Sequence, residues 1–139
     1  MEEMVYQNSR TVKLLHSGFY KGVPFAILSL GTHPTAYVEN IIHVSNYDDD
    51  LLRDVDVHGG FTFCSKGYWG DKNTNGLSWL GWDYAHCYDF MGYYGVDDGT
   101  LYKQKRWSTE EILGEVYHVI DQLLDLKQEI KIIEDLLAD

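Results

Sequence analysis

The C-terminal segment of the chain, residues 108–139, carries the pattern that most limits how the protein can fold. Ser108 followed three residues later by Glu111 is the signature of a helix capping box, in which each side chain bonds the other's backbone N–H. Beyond it, apolar residues recur at alternating spacings of four and three, at Ile112, Val116, Val119, Leu123, Leu126, Ile130, Ile133 and Leu137. This spacing predicts one long amphipathic helix with a heptad seam of about three and a half repeats.

The apolar face of this helix narrows along its length. A second apolar stripe widens the face only in the first half, at Leu113, Tyr117, Ile120 and Leu124. The matching later positions are Lys127 and Lys131. We therefore expect the first half to cover a sheet and the second half to pair with another helix as a coiled coil, which predicts a homo-oligomer. The alternative is one helix covering its own sheet throughout, although about thirty residues at ~1.5 Å each span ~45 Å, longer than a domain of this size usually needs.

Upstream of the helix, residues 1–107 show the shorter patterns that are typical of strands. Runs of strand length or of period two occur at residues 12–20, 23–30, 35–44, 55–63 and 77–85. The chain of 139 residues is the size of one ordinary domain. The predicted fold is a single α+β domain with an antiparallel sheet of about four to six strands, in which residues 1–107 form a mainly β ligand-binding part and residues 108–139 form the helix.

The charge balance excludes several kinds of partner. With 22 acidic and 11 basic residues the net charge is −11, which opposes binding to nucleic acid polymers and to anionic membranes. Nothing in the sequence resembles a signal peptide or an apolar membrane-spanning run, and the two cysteines, Cys64 and Cys87, allow at most one disulfide within the chain. The sequence thus predicts a cytoplasmic protein whose partners include neither a membrane nor a nucleic acid polymer.

Two of the predicted strands place polar groups among aromatic side chains. In residues 55–63 the apolar side chains occupy odd positions, so His58 falls on the opposite face with the other polar residues. In residues 77–85, Trp79 and Asp83 share one face of the strand. If the two strands pair, His58 and Asp83 can share a face.

The chain around and between these strands adds glycines and further aromatic residues. Gly59 and Gly60 weaken the first strand unless a bulge or the close approach of another molecule requires them. Residues 65–76 carry Tyr68 and Trp69 on a polar loop that is long for a hairpin and suits a flap over a ligand. This mixture of polar, glycine and aromatic residues is unfavourable in a buried core and suits a pocket. We therefore predict a ligand site formed by the two strands and the loop between them.

A nucleotide-like molecule would match these residue types. Aromatic faces stack on a base, glycine amides allow a phosphate to approach, and carboxylates accept hydrogen bonds from ribose hydroxyls. On this hypothesis the protein binds a small nucleotide-like molecule without turning it over and needs no cofactor. The candidate ligand-binding residues are His58, Gly59, Gly60, Thr62, Tyr68, Trp69, Trp79, Trp82, Asp83, His86 and Asp89.

The order and spacing of these residues resemble a family of small phage and prophage proteins. That family carries a His-Gly-Gly-aliphatic-Thr segment and then Trp-Trp-Phe-Gly-Phe-Asp-Cys-Ala-His-Ala-Gly-Asp. Here the later positions in register are Trp79, Gly81, Asp83, Ala85, His86 and Asp89. The match spans some thirty-five of the 139 residues, and its departures include Phe61 at the aliphatic position and Tyr84 at the Cys position. The resemblance implies a phage protein of the host-cell cytosol, with a counter-defence role in which it withholds a nucleotide-derived immune signal.

Two other functions stay open. His58, Asp83, His86 and Asp89 could act as an acid/base set or as metal ligands, with His58, Asp83 and His86 as the candidate metal set and a neighbouring carboxylate to activate water. The protein would then be a metal-dependent hydrolase or phosphodiesterase. Against this, the spacing matches no HExxH or similar metal motif. Alternatively, the acidic surface and the long helix could serve to block a host protein.

Overall fold

The computed structural model describes residues 3–5, 11–30, 33–68, 77–85 and 107–138. Within these residues the chain forms six strands and one long helix, which confirms the predicted α+β class. The strands are β1 (Glu3–Val5), β2 (Thr11–Tyr20), β3 (Val23–Ser29), β4 (Pro34–Glu39), β5 (Phe63–Lys66) and β6 (Ser78–Asp83). A short 3₁₀ turn, Asp50–Leu52, precedes β5, and the helix α1 is Thr109–Leu137.

The six described strands form one antiparallel sheet in the order β1-β2-β3-β4-β6-β5. The first four follow one another as a meander, whereas β6 inserts between β4 and β5. In the β4–β6 register, Glu39 opposes Trp79 and Thr35 opposes Asp83. The strand that carries several of the predicted site residues is therefore an interior strand, paired on both sides.

The first half of α1 covers one face of this sheet, here called the helix face. The buried residues of α1 are Ile112, Val116, Val119, Ile120 and Leu123. They belong to one core with side chains of β3, β4 and β6 that include Ile27, Val38 and Trp82. Burying a large apolar side chain stabilises the fold by about 1.5–3 kcal/mol, so this seam holds the helix on the sheet.

The two ends of α1 differ in their surroundings. At the N-terminus the predicted capping box is confirmed, since Ser108 Oγ accepts a hydrogen bond from Glu111 N–H (3.1 Å) and Glu111 Oε1 accepts one from Ser108 N–H (3.1 Å). Towards the C-terminus the helix leaves the sheet, and Ile133 and Leu137 are 55% and 79% exposed. The expectation that the first half covers the sheet is confirmed, and pairing of the second half with another helix stays a prediction.

Polar contacts fix the position of α1 along the sheet. Gln122 Nε2 donates to the Asp56 carbonyl (2.8 Å), and Asp56 N–H donates to Gln122 Oε1 (2.7 Å). Lys21 Nζ, in the β2–β3 turn, donates to Asp121 (2.7 Å). The hydrogen bond from Lys21 lowers the pKa of Asp121, and the same bond raises the pKa of Lys21. A loop and a turn that are distant in sequence are thereby tied to the middle of the helix.

The prediction of a strand over residues 55–63 is wrong. Gly59 and Gly60 have φ of +68° and +80°, a left-handed backbone that interrupts an extended strand. Gly60 N–H donates to the Val57 carbonyl (2.9 Å) and closes a turn, and β5 begins only at the last residue of the predicted range. The alternating apolar residues have another cause, because this loop packs on the helix-face core with Phe61 only 8% exposed.

The other predicted strands are confirmed, one of them at reduced length. Strands occupy most of residues 12–20, 23–30 and 77–85. Residues 35–44 are extended only as far as Glu39. Asn40 turns the chain there, because its side chain donates to the Val44 carbonyl (2.8 Å) and accepts from the Val44 N–H (3.2 Å).

Candidate functional site

Strand β6 distributes the predicted site residues over both faces of the sheet. Trp82 lies in the core beneath α1, whereas Trp79 lies in a second cluster on the far face, opposite the helix. Both indole rings are buried, with 6% of Trp79 and 0% of Trp82 exposed. The alternation is the predicted one, and it means that the two tryptophans cannot line a single cavity.

His58 lies on the helix side of the sheet. Its ring stacks on Tyr84, with centroids 4.6 Å apart and 11° between the planes, and it meets Trp107 edge-on at 4.9 Å. The Tyr84 hydroxyl accepts a hydrogen bond from Trp82 Nε1 (3.0 Å) and donates one to Glu115 (2.6 Å). His58 therefore joins a packed group of aromatic rings that ties the end of β6 to α1.

Asp83 and Thr62 form a polar pair where β6 ends. Thr62 Oγ1 donates to one carboxylate oxygen of Asp83 (3.2 Å), and the Ala85 N–H donates to the other (3.1 Å). Thr62 N–H also donates to the Gly81 carbonyl (2.9 Å), which continues the strand pairing one residue before β5. The expected shared face of His58 and Asp83 required a strand that does not form, and the structure places the two residues in different settings.

Tyr68 and Trp79 belong to an aromatic cluster on the far face that also contains Tyr37 and Phe63. Tyr68 stacks on Tyr37 with centroids 5.0 Å apart and meets Trp79 edge-on at 4.9 Å. Phe63 meets Tyr37 edge-on at 5.1 Å. Gly81 makes room for this packing, because a Cβ there would lie 2.7 Å from the Tyr37 ring. Sequence reasoning missed Tyr37 and Phe63, and the signal that could have found Tyr37 is the glycine, since glycine within a strand often marks a close approach.

The indole N–H of Trp79 is buried without an acceptor among the described residues. A buried donor that has given up its bond to water and gained no partner costs about 1–3 kcal/mol. Buried tryptophan N–H groups usually have a partner, as that of Trp82 does in Tyr84. An unsatisfied group of this kind calls for an explanation, and one explanation is an acceptor supplied by a bound molecule.

Gly60 borders a cavity that is separate from the aromatic cluster. The cavity has a volume of about 320 Å³, and its wall includes three consecutive aspartates, residues 48–50, together with Arg53. The Gly60 N–H already donates to Val57 within its turn. A wall with three carboxylates and one guanidinium is a poor match for a phosphate, so this cavity does not favour the approach of a phosphate to Gly60.

Three of the predicted site residues, Trp69, His86 and Asp89, lie outside the described residues. The alternative metal set of His58, Asp83 and His86 is therefore placed only in part. Within the described ranges, no three His, Cys, Asp or Glu side chains form a group that could hold a metal ion.

Cys64 lies on the helix side of β5, next to the turn at Asn40. Its thiol donates to the Val44 carbonyl (3.7 Å), and Asn40 Nδ2 donates to its sulfur (3.7 Å). Burial raises the pKa of the Cys64 thiol, against a smaller lowering effect of the Ser78 hydroxyl. A thiol with a raised pKa is a weak nucleophile at neutral pH, so this geometry favours a packing role.

Comparison of the chain with protein-family models, with curated proteins and with solved structures gave no match. The resemblance to phage proteins therefore rests on the residues quoted above. In the part of the chain that the structure describes, no helix has both the length and the apolar character needed to cross a membrane.

Proposed function

We propose that the protein is a non-catalytic binding protein that retains a small nucleotide-derived molecule on the far face of the sheet. The observation that carries the proposal is the buried Trp79 N–H, which has no acceptor among the described residues. A ligand oxygen or ring nitrogen at this position would accept the hydrogen bond and remove a cost of about 1–3 kcal/mol.

The rings around Trp79 suit a flat ligand. Trp79 is only 6% exposed, so a ligand reaches its N–H by displacing a neighbour. A neighbour that meets the Trp79 ring edge-on is Tyr68, which is itself half-buried. Tyr68 forms two aromatic pairs, with Tyr37 and Trp79, which together contribute about 1–3 kcal/mol, and stacking of a base contributes about the same, so the exchange of Tyr68 for a base is nearly balanced.

Asp83 offers a second anchor on the same side of β6. It lies four residues beyond Trp79, about 13 Å along an extended strand. A carboxylate accepts several hydrogen bonds at once, so ribose hydroxyls can join those from Thr62 and Ala85. A molecule that reaches both Trp79 and Asp83 must be longer than a single ring, which favours a nucleotide over a base.

The net charge of −11 determines how such a ligand is held. An anionic nucleotide is repelled at long range, so its affinity has to come from stacking and hydrogen bonds at short range. Salt screens the repulsion, because the Debye length falls from about 30 Å at 0.01 M to about 8 Å at 0.15 M. We expect nucleotide binding to tighten as salt is raised, the opposite of a protein that grips phosphate with Lys and Arg.

The resemblance to small phage proteins supplies the setting of this proposal. A protein that holds a nucleotide-derived signal without altering it lowers the free concentration of that signal in the host cell. Counter-defence by sequestration requires binding alone, and a buried hydrogen-bond donor among aromatic rings is a feature of binding.

The test is what the protein carries when it is purified from infected or expressing cells. The protein is denatured by heat and the supernatant is analysed by mass spectrometry for wild type, Trp79→Phe and Trp82→Phe. Both variants lose one indole N–H, so Trp82→Phe is the matched control. Without the N–H, the ligand no longer removes the cost of about 1–3 kcal/mol, so retention should fall about 5- to 160-fold in Trp79→Phe and stay unchanged in Trp82→Phe.

Each outcome of this test has a definite meaning. An intact nucleotide in the wild-type supernatant, reduced only in Trp79→Phe, supports the proposal. A cleaved nucleotide would instead support the hydrolase alternative. Equal retention by the two variants would show that the ligand does not bond Trp79.

A further inference from the structure

The last turns of α1 expose an apolar surface that nothing in the described residues covers. The last buried residue of the helix is Leu123. Leu124 and Leu126 still pack at the edge of the core, whereas Ile132, Ile133, Leu136 and Leu137 are 50–79% exposed. Contiguous apolar surface of this kind marks a place where another molecule binds.

The heptad positions show how a partner helix would lie. The spacing of the seam assigns d to Leu126 and Ile133, and a to Ile130 and Leu137. We call these four residues the distal seam. The flanking e positions are Lys127 and Glu134, and the flanking g positions are Glu129 and Leu136. Charged residues at e and g select the partner and its orientation.

These flanking charges discriminate between the two orientations of a self-pair. In a parallel pair, g faces e of the other helix, which places Glu129 of each copy opposite Glu134 of the other. In an antiparallel pair, e faces e, which places Lys127 of each copy opposite Glu134 of the other. The first arrangement has two repulsive pairs and the second has two attractive pairs. Neither Lys127 nor Glu134 forms an ion pair within the described part of the chain.

We propose that two copies of the protein associate through antiparallel pairing of residues 126–137, with Ile130 of one copy packed against Ile133 of the other. The last turn of α1 contains no basic residue to balance the negative end of the helix dipole. The antiparallel arrangement brings Lys127 of the second copy to Glu134 in this region. The partner thus supplies the positive charge that the helix end lacks.

The register of the antiparallel pair is limited by the residues of α1 that are already buried against the sheet. A shift by one heptad in one direction would require Val119 and Leu123 to contact the second copy. Both residues are 0% exposed, because α1 buries them against the sheet. A shift in the other direction would leave only Ile133 and Leu137 in contact. The proposed register alone uses the whole distal seam and leaves Val119 and Leu123 buried, with Leu126 at the edge of the core as its innermost contact.

The test is the oligomeric state of the full chain, measured by sedimentation equilibrium over a range of concentrations. Lys127→Glu and Glu134→Lys should each turn two attractive pairs into two repulsive ones, which should weaken dimerisation on the order of 10-fold. The double variant should restore the wild-type affinity. Lys131→Glu is the matched control, because Lys131 lies away from the seam and pairs with Asp135 of its own helix (3.8 Å).

Two results would overturn the proposal. In a parallel pair, Glu134→Lys would face Glu129 and tighten the dimer instead of weakening it. A wild-type protein that stays monomeric at every concentration would show that a second copy does not cover the distal seam. Circular dichroism of each variant verifies that α1 is intact, so a loss of helix is not mistaken for a loss of pairing.

Discussion

In the ligand-free protein, the Trp79→Phe variant should be more stable than the Trp82→Phe variant. Both rings are buried, so each substitution leaves a similar gap, and the cavity cost of about 24 cal/mol per Å³ largely cancels in the comparison. The N–H groups differ, because that of Trp82 donates to Tyr84 (3.0 Å) and that of Trp79 has no acceptor among the described residues.

The size of the difference follows from these two hydrogen-bonding states. Removing the unsatisfied donor of Trp79 relieves about 1–3 kcal/mol, and removing the satisfied donor of Trp82 loses about 0.5–1.5 kcal/mol. Trp79→Phe should therefore be more stable than Trp82→Phe by about 2–4 kcal/mol. For a domain of this size the difference corresponds to roughly 6–15 °C in Tm.

The assay is urea unfolding followed by far-UV circular dichroism, because tryptophan fluorescence itself changes with each substitution. The slope of the transition should be the same for both variants, so that the midpoints report stability. If Trp79→Phe is destabilised as much as Trp82→Phe, the Trp79 N–H has a partner in solution. A ligand acceptor beside the Trp79 ring would then not be needed.

Three further changes test the packing and the charge contacts. Gly81→Ala should cost about 1–3 kcal/mol, because the new Cβ would lie 2.7 Å from the Tyr37 ring. Gly114→Ala should stabilise α1 by about 1 kcal/mol, because no atom lies within 4 Å of the new Cβ. The urea midpoints of Gly81→Ala and Gly114→Ala should therefore shift in opposite directions, and a shift in the same direction would contradict both expectations. The Lys21–Asp121 hydrogen bond (2.7 Å) lowers the pKa of Asp121 and raises that of Lys21, so its contribution should be complete at neutral pH. This contribution to stability should be lost as pH falls below about 4 and as pH rises beyond about 10.5. The urea midpoints of wild type and Asp121→Asn should therefore converge at both extremes. A difference between the two midpoints that stays constant with pH would contradict this expectation.

The helix could be predicted from the sequence because its signals are local. The capping box of Ser108 and Glu111 and the heptad spacing lie within one continuous segment, and the structure shows the capping box, the helix and the burial of the first half of the seam. Residues 55–63 misled the prediction, because a loop that packs on a core can alternate apolar and polar residues as a strand does. The positive φ of Gly59 and Gly60 shows that the chain turns at these residues instead of continuing as a strand. Two adjacent glycines are compatible with a turn and with a bulge, and the sequence did not distinguish between them.

The candidate site could be predicted only in its parts. Period two correctly separated Trp79 from Trp82 on opposite faces of β6. The neighbour of Trp79 in the aromatic cluster, Tyr37, comes from β4, and no local pattern encodes which strand β6 will join. The unsatisfied N–H depends on the acceptors that surround a ring, which is a property of the packed structure alone.

The insertion of β6 between β4 and β5 has a consequence for how the chain reaches its native state. Strands β1 to β4 can pair in succession as hairpins between neighbouring strands. Pairing of Glu39 with Trp79 instead requires the long loop between them to close first. Until β6 arrives, β4 presents an open row of backbone donors and acceptors, which is a template for pairing with another chain. A nascent or truncated chain that ends before residue 77 should therefore be prone to aggregate, and amide protection should appear in the early hairpins before it appears along β6.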